Sequence, residues 1–547
     1  MIAFVVGMLI SRDSAELETV DRFATAWAEG DYEAMHAELA PASSSETTVE
    51  ELQSAYEQAA RTATASGIAV EDSRGPLDQD GETVVALPAT VSTTAFGAVS
   101  GEVAVPIVDD AIEWRPEMVF PGLLEGEELD RKTDLPKRAP ILAADRSPLA
   151  EGPLDARVTS GAGGIVTGEI SEPGRPRQKE LEALGFPEGT TAGTSGLELA
   201  FDAELAGTPG GELLAKGPEE ERILASSEPV EGESVRTTID PKLQDATAAA
   251  LGSTYGGAAL IDAKNGDVLA LAGLAFSAPQ PPGSVMKIIT LTGALNEEIT
   301  KPEEEFPVAT SAIVGGREVF NADDAACGGS LVTSFAKSCN SVFGPLGEEL
   351  GGERLVEISE KFGFNAPPSL YRPEALAAVE PPESTIPGDL ADSEAGISAI
   401  GQGEVLATPL EMASTSQAIA NGGVRSPTSI VRDPELAGDY PDVTVTDPKT
   451  ADVVRDMMIE VVKSGTGIAA ALPDATVAGK TGTAELGTSD GEPIGDPEAE
   501  QDVDAWFTAF APAEKPKYAV AVMVINADGG GGAIAAPIAR AILDAAL

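Results

Sequence analysis

The pattern of apolar and polar positions changes character twice along the chain. Over 14–40 the apolar residues recur at helical spacing, with Val20, Phe23, Ala24 and Trp27 on one stretch and Tyr32, Met35 and Leu39 on the next. Gly30 and Asp31 fall between them and predict a break between two helices. A third helix is expected over 47–63, because Thr-Thr-Val-Glu-Glu-Leu at its start has the form of a capping box. Over 67–121 the pattern becomes alternating or β-branched, as at 82–93 and 101–109, which predicts strands. Helices followed by a strand set read as a small α+β domain over 13–123.

Residues 124–235 are rich in Gly, Pro and charge, with short strand-like pieces at 139–145 and 163–170. They read as an extended, β-rich connecting module with a modest core of its own. From 236 the apolar segments crowd together. Residues 235–251 read as strand, turn and helix, and 257–272 as two strands around Lys264-Asn265-Gly266, a strong hairpin signal. A strand at 517–526 and a helix at 532–547 close the chain. The acidic, Pro- and Gly-bearing stretches 368–392 and 486–504 read as solvated loops. Residues 1–10 are almost all apolar and give way abruptly to polar sequence. They are about half of the roughly 20 residues that a spanning helix needs, so 1–12 reads as the outer part of a membrane anchor.

Composition narrows the function. The chain has 547 residues, with 35 Lys and Arg against 90 Asp and Glu, a net charge of −55. That excludes nucleic acid as a natural partner, since two polyanions repel. With 42% hydrophobic residues there is material for real cores. His36 is the one histidine, in the second predicted helix, where it reads as structural or exposed. Multi-histidine metal sites are thereby excluded, and any general base has to come from Lys, Asp, Glu or Tyr.

A serine nucleophile without histidine can use a lysine that burial or a neighbouring cation keeps neutral. On a helix, S-x-x-K puts the hydroxyl and the amine on one face. The chain holds two such pairs. Ser284 and Lys287 follow Pro281-Pro282-Gly283 at the start of an apolar helix, on the positive end of its dipole and beside free backbone N–H groups. Ser334 and Lys337 lie within a run read as helix on both sides, so position favours Ser284. Ser338-Cys339-Asn340 is the single S-x-N, offering a hydroxyl to relay a proton and an amide to grip a peptide. K-[ST]-G occurs twice. Lys463-Ser464-Gly465 follows a helical run, so Gly465 reads as its C-cap. Lys480-Thr481-Gly482 lies in a strand-like run. An extended peptide could pair with that strand while Lys480 and the hydroxyls of Thr481 and Thr483 bind a carboxylate, and Gly482 would permit close approach.

Each element is common by itself, but the order S-x-x-K, S-x-N, K-T-G in matching contexts is specific. With it the sequence resembles the penicillin-binding protein and serine β-lactamase superfamily, and more closely the class B penicillin-binding proteins, monofunctional D,D-transpeptidases. Residues 137–150 are similar to the start of the family's non-catalytic module, with Arg138, Asp145 and Arg146 in place and Ala139 where Gly is usual. Segments 193–210, 237–244, 396–413 and 505–512 also resemble that class, with Asp504 where relatives often carry His. The first domain, with its exit at 114–123, resembles the nuclear-transport-factor-like, MecA-type N-terminal domain.

The resemblance implies a multidomain α+β protein. After the partial anchor at 1–12 would come the nuclear-transport-factor-like domain at 13–123 and a dimerisation or pedestal module at 124–235. The transpeptidase domain at 236–547 would have an antiparallel five-stranded sheet flanked by helices. It implies Ser284 as nucleophile and Lys287 as its base, and Ser338 as proton relay to the leaving group. Asn340 would hold the peptide, with Lys480, Thr481, Gly482 and Thr483 on the terminal carboxylate and the N–H groups of Ser284 and Thr483 as oxyanion hole. The implied partners are peptidoglycan stem peptides, β-lactam antibiotics and a membrane glycosyltransferase of the SEDS type, with no metal or organic cofactor. The implied location is the outer face of the cell membrane. A β-lactam sensor, a D,D-carboxypeptidase or a β-lactamase-like hydrolase would share the motifs. Cys327 and Cys339 are either two free thiols or, in an oxidising exterior, a disulfide bracing the loop to Ser338.

Overall fold

The computed structural model describes residues 15–79, 81–485 and 503–547. The N-terminal unit opens with helices Ala15–Glu29 and Tyr32–Ala37, and a one-turn helix, Pro41–Glu46, precedes the longer Val49–Ala63. That short helix was not legible in the apolar pattern, since its sequence, Pro-Ala-Ser-Ser-Ser-Glu, has almost no apolar side chain to bury. Helix Val49–Ala63 starts on a true capping box: Glu51 N donates to Thr48 Oγ1, and Thr48 N donates back to the Glu51 carboxylate. Strands Glu82–Thr93 and Gly97–Val108 form the spine of an antiparallel sheet. Its inward residues Val85, Leu87, Val103 and Val105 pack on Val20, Phe23, Leu52 and Tyr56. His36 sits against the Thr47 carbonyl through Nε2, at 2.8 Å, a structural contact.

Phe120 and Leu123, at the end of this unit, share a core cluster with Leu213 and Ala215. Those two belong to strand Gly210–Lys216, the centre of a three-stranded sheet between Glu221–Ser227 and Glu128–Asp134. The middle segment is braced by buried ions. The Arg138 guanidinium, 2% exposed, lies 2.6 Å from the Glu198 carboxylate and 2.9 Å from Asp202. Arg157 meets the second oxygen of Glu198 at 2.7 Å, and Arg177 also pairs with Asp202.

The C-terminal half is built on an antiparallel sheet in the order Val268–Gly273, Gly256–Asp262, Tyr518–Ala527, Val503–Ala511, Ala478–Glu485. The first two strands are joined at Lys264-Asn265-Gly266, where Gly266 has φ +74° and a side chain would collide with the Pro427 carbonyl. Helices Pro241–Leu251 and Ala535–Ala546 cover one face. The almost wholly buried helix Pro409–Ala420 covers the other, in the same core as helix Lys287–Asn296.

Two loop expectations change. Segment 368–392 is acidic but not solvated: Leu370, Tyr371 and Ile386 are buried, and Pro373–Val379 is a helix. Spacing among prolines hid those apolar anchors. Of 486–504, residues 486–502 lie outside the described residues, while Val503 and Asp504 begin a strand and Asp504 is fully buried. The expected anchor at 1–12 also lies outside the described residues, and among those described no helix is long and apolar enough to cross a membrane.

The ion cluster predicts that Glu198→Ala, which leaves Arg138 and Arg157 buried without their shared carboxylate, destabilises the middle segment by roughly 3–5 kcal/mol. Hydrogen–deuterium exchange over 137–206 should rise well above wild type, and less in Glu198→Gln. Unchanged protection in Glu198→Ala would contradict this.

Candidate active site

Three backbone stretches converge on Ser284, and glycines let them. Ser284 lies in a 3₁₀ turn, Gly283–Met286, that runs directly into the buried helix Lys287–Asn296. Gly283 has φ +54°, and a side chain there would sit 2.5 Å from the Thr483 carbonyl. Gly283 N donates to Gly401 O at 2.9 Å, and Gly401, at φ +76°, leaves only 2.0 Å between a would-be Cβ and the Gly283 carbonyl. The nucleophile's turn is thus clamped between strand Ala478–Glu485 and the loop around 401.

Lys287 is fully buried. Its Nζ lies 2.9 Å from Ser284 Oγ, 2.8 Å from the Ser338 carbonyl, 2.6 Å from Asn340 Oδ1 and 3.3 Å from Ser338 Oγ. Burial, and after it the charge of Lys480, pushes its pKa well below the ordinary lysine value. A neutral amine has two N–H donors and one lone pair. The Ser338 carbonyl and Asn340 Oδ1 can only accept, so they take both donors. The lone pair is left for the Ser284 hydroxyl, the geometry of a general base. The Asn340 amide is oriented by its other end, since Nδ2 donates to the Phe320 carbonyl at 2.8 Å. Asn340, expected to hold a peptide, therefore has both polar ends engaged inside the protein and sets the direction of Lys287.

Ser338 occupies the tight link between helices Leu331–Ala336 and Asn340–Leu350, at φ +63°, a left-handed conformation that a non-glycine residue adopts only when held. What holds it is on both sides. Cys339, the next residue, is disulfide-bonded to Cys327 on strand Cys327–Ser330. Buried Asn321 accepts from Ser341 N at 2.9 Å and donates to the Ala309 and Ala325 carbonyls. Lys480, fully buried on its strand, donates to Ser338 Oγ at 2.8 Å and to the Thr481 carbonyl at 3.0 Å. Desolvation lowers its pKa to about 7. Ser338 Oγ thus lies within reach of both lysine amines, bonded to Lys480 and 3.3 Å from Lys287.

Strand Ala478–Glu485 turns Thr481 and Thr483 toward a cleft of about 340 Å³, which Ser284, Ser338 and Asn340 also line. Gly482 turns the other way. A side chain there would meet the Pro282 carbonyl at 2.6 Å and Trp506 Cβ at 3.0 Å. What this glycine admits is the nucleophile's own turn, where close approach of a ligand was expected. Lys480 lies behind this wall, where its amine meets Ser338, while the threonine hydroxyls face the cleft.

The second motif copies stay apart from this chemistry. Ser334 is buried, its hydroxyl without a partner among the described residues, while Lys337 is exposed at the cleft lip, so the pair does not meet. A strand and the Ser330 cap directly precede their helix, contrary to the uninterrupted helix expected. Gly465 does end helix Pro448–Ser464. Several cleft residues went unassigned in the sequence reading: Ile400, Gln402, Thr466 and the run Gly530–Gly532. Gly531 N donates to Thr483 Oγ1 at 3.3 Å, and Thr466 and Thr481 share a hydroxyl bond. The Gly-Gly-Gly-Gly run was the available signal, because glycine in series beside a strand marks backbone pressed against backbone.

The model of the penicillin binding protein transpeptidase domain matches residues 256–544, and that of the NTF2-like N-terminal transpeptidase domain matches 15–127. The chain is 38% identical over 293 residues to the peptidoglycan D,D-transpeptidase PbpA of Mycobacterium tuberculosis, 50% of this chain and 56% of that protein. It thus spans a little over half of that relative's length. Penicillin-binding protein 3 of the same organism, complexed with aztreonam, superposes at TM-score 0.61 and 26% identity, over 76% of this chain and 96% of that one. The ceftriaxone acyl-enzyme of its penicillin-binding protein A gives 0.58 and 27%, over 75% and 98%.

The bond from Cys339 to Cys327 predicts no free thiol in denatured, unreduced protein and two after reduction. A count of two before reduction would contradict the brace.

Proposed function

The chain belongs to the penicillin-binding protein transpeptidase family, and from that premise we propose that it is a serine D,D-transpeptidase that cross-links peptidoglycan stem peptides and is acylated by β-lactams. The observation that carries the reading is the buried Lys287 amine, both donors taken and its lone pair toward Ser284.

Ser284 Oγ attacks the carbonyl of the penultimate D-Ala, and its proton moves to Lys287. The oxyanion is received by the N–H groups of Ser284 and Thr483, a contribution of roughly 3–4 kcal/mol for such a donor. As the tetrahedral intermediate collapses, the C–N bond breaks. The proton travels from Lys287 through Ser338 Oγ, which Lys480 holds at 2.8 Å, to the departing amine. Thr481 and Thr483 bind the terminal carboxylate. Gly531 N occupies a lone pair of the Thr483 hydroxyl and so directs its proton to the ligand. The relatives support this reading: PbpA is named a D,D-transpeptidase, and penicillin-binding protein A of the same organism was solved as a β-lactam acyl-enzyme.

The same reading assigns 124–235 as pedestal and 1–12 as anchor. The catalytic half then sits outside the cell membrane, where a SEDS-type glycosyltransferase would supply the glycan strand. The disulfide supports an oxidising exterior.

Fluorescent penicillin should label the protein covalently, Ser284→Ala should abolish labelling, and retained label in that variant would refute the assignment. A persistent acyl-enzyme marks a transpeptidase, and turnover within seconds marks a hydrolase. The acylation rate should be bell-shaped in pH. It falls on the acid side as Lys287 gains a proton, below the ordinary lysine range, and on the alkaline side above about 7 as Lys480 loses its charge. A rate that climbs steadily to pH 10, as an ordinary lysine base would give, would contradict the neutral Lys287.

A further inference from the structure

Gln402 is 8% exposed, faces the catalytic cleft, and its side-chain amide has no hydrogen-bond partner among the described residues. Neither amide atom is sealed from the cleft, so the side chain is held nearly buried by its stem while its polar end stays open to a ligand. Its backbone is fixed: Gln402 N donates to Ile397 O at 3.2 Å, and neighbouring Gly401 is locked to Gly283 beside the nucleophile. The loop 397–404 is a partition. Ile400 and Gln402 face the catalytic cleft, whereas Ile397, Ser398, Gly403 and Glu404 face a second cavity of about 570 Å³. With Glu404, Asp389 and Glu394 give that cavity three carboxylates against the one guanidinium of Arg317. The hairpin that lines it, Ser311–Val314 with Arg317–Phe320, ends at the carbonyl that orients Asn340.

We propose that this wall is the acceptor side of the reaction: Gln402 holds the incoming amine of a second peptide where it enters the catalytic cleft. The inference rests on the transpeptidase reading. The donor uses the wall of Thr481, Thr483 and the glycine run, so the second substrate has to arrive elsewhere. An amine diffuses mainly as an ammonium, which carboxylates draw in, but only the free amine attacks. A neutral amide suits that last position, because its carbonyl accepts an N–H and orients the lone pair without holding the amine protonated as a carboxylate would. The amine nitrogen then attacks the Ser284 ester carbonyl, a C–N bond forms and the C–Oγ bond breaks. One amine proton passes through Lys287 to Ser284 Oγ, leaving an amide and free serine.

The test measures how the acyl-enzyme partitions between amine and water, which only folded, acylated protein can report. With an N-acyl-D-alanyl thioester as donor and D-alanine amide as acceptor, Gln402→Ala should lower the ratio of transfer to hydrolysis about ten-fold, and Gln402→Asn should restore part of it. Gln402→Glu should lower it as well and move the rise of transfer to higher pH. A wild-type ratio in both Gln402→Ala and Gln402→Glu would overturn the proposal, as would a wild type that acylates but transfers to no amine. A wild type that is never acylated at Ser284 would instead overturn the transpeptidase reading.

Discussion

An amine kept out of water, yet beside a serine, is the condition around which the catalytic half is organised. In the proposed reaction Lys287 can serve as a base only while neutral, and burial alone would leave its N–H groups unsatisfied. The protein answers with two acceptor-only oxygens, the Ser338 carbonyl and Asn340 Oδ1. Lys480 sits under the same constraint with the opposite need. A shift from 10.5 to about 7 corresponds to roughly 5 kcal/mol of preference for the neutral form. Its charge is therefore marginal near neutrality, and a ligand carboxylate arriving at the adjacent threonines can restore it. Ser338 Oγ, within reach of both amines, couples the base to that change.

The surrounding architecture reads as what this arrangement requires. A serine at φ +63° has to be held, and the disulfide at Cys339 and the buried Asn321 hold it from either side. The nucleophile's turn has to touch the strand that carries Lys480, and Gly283, Gly401 and Gly482 are the places where a methyl group would keep them apart. The helix after Ser284 is apolar because it lies inside the core, which also removes the water that would recharge Lys287. In a chain of net charge −55, the fully buried lysines among the described residues are these two.

Much of this was legible in sequence, for specific reasons. The spacing of Ser284 and Lys287 survives because one helical turn fixes it, and the hairpin at Lys264-Asn265-Gly266 because few other residues permit that turn. The capping box at Thr48 and Glu51 is equally local. What failed was non-local. Acidic composition masked Leu370 and Tyr371, whose burial depends on partners far away in the chain. The direction in which Gly482 faces depends on strand register against Trp506, which no local pattern encodes. Gln402 sits between two glycines that read only as a turn, and its exposure to the cleft arises from the clamp on Gly283.

Those failures share a form that bears on specificity. Asn340 and Gly482, which the motifs marked for the ligand, also carry contacts inside the protein, with the lysine and with the turn of Ser284. Beside the motif residues, the cleft is lined by Thr466, Ile400, Gln402 and the glycine run, none of which belongs to a motif. A motif records what the chemistry needs and the fold cannot vary, so it is dense in residues that face inward. Residues that only touch the ligand are free of that constraint and leave no fixed spacing behind. Differences in substrate preference among chains with the same three motifs are therefore to be sought in the loop 397–404 and in 528–533, where a side chain can change without disturbing the base.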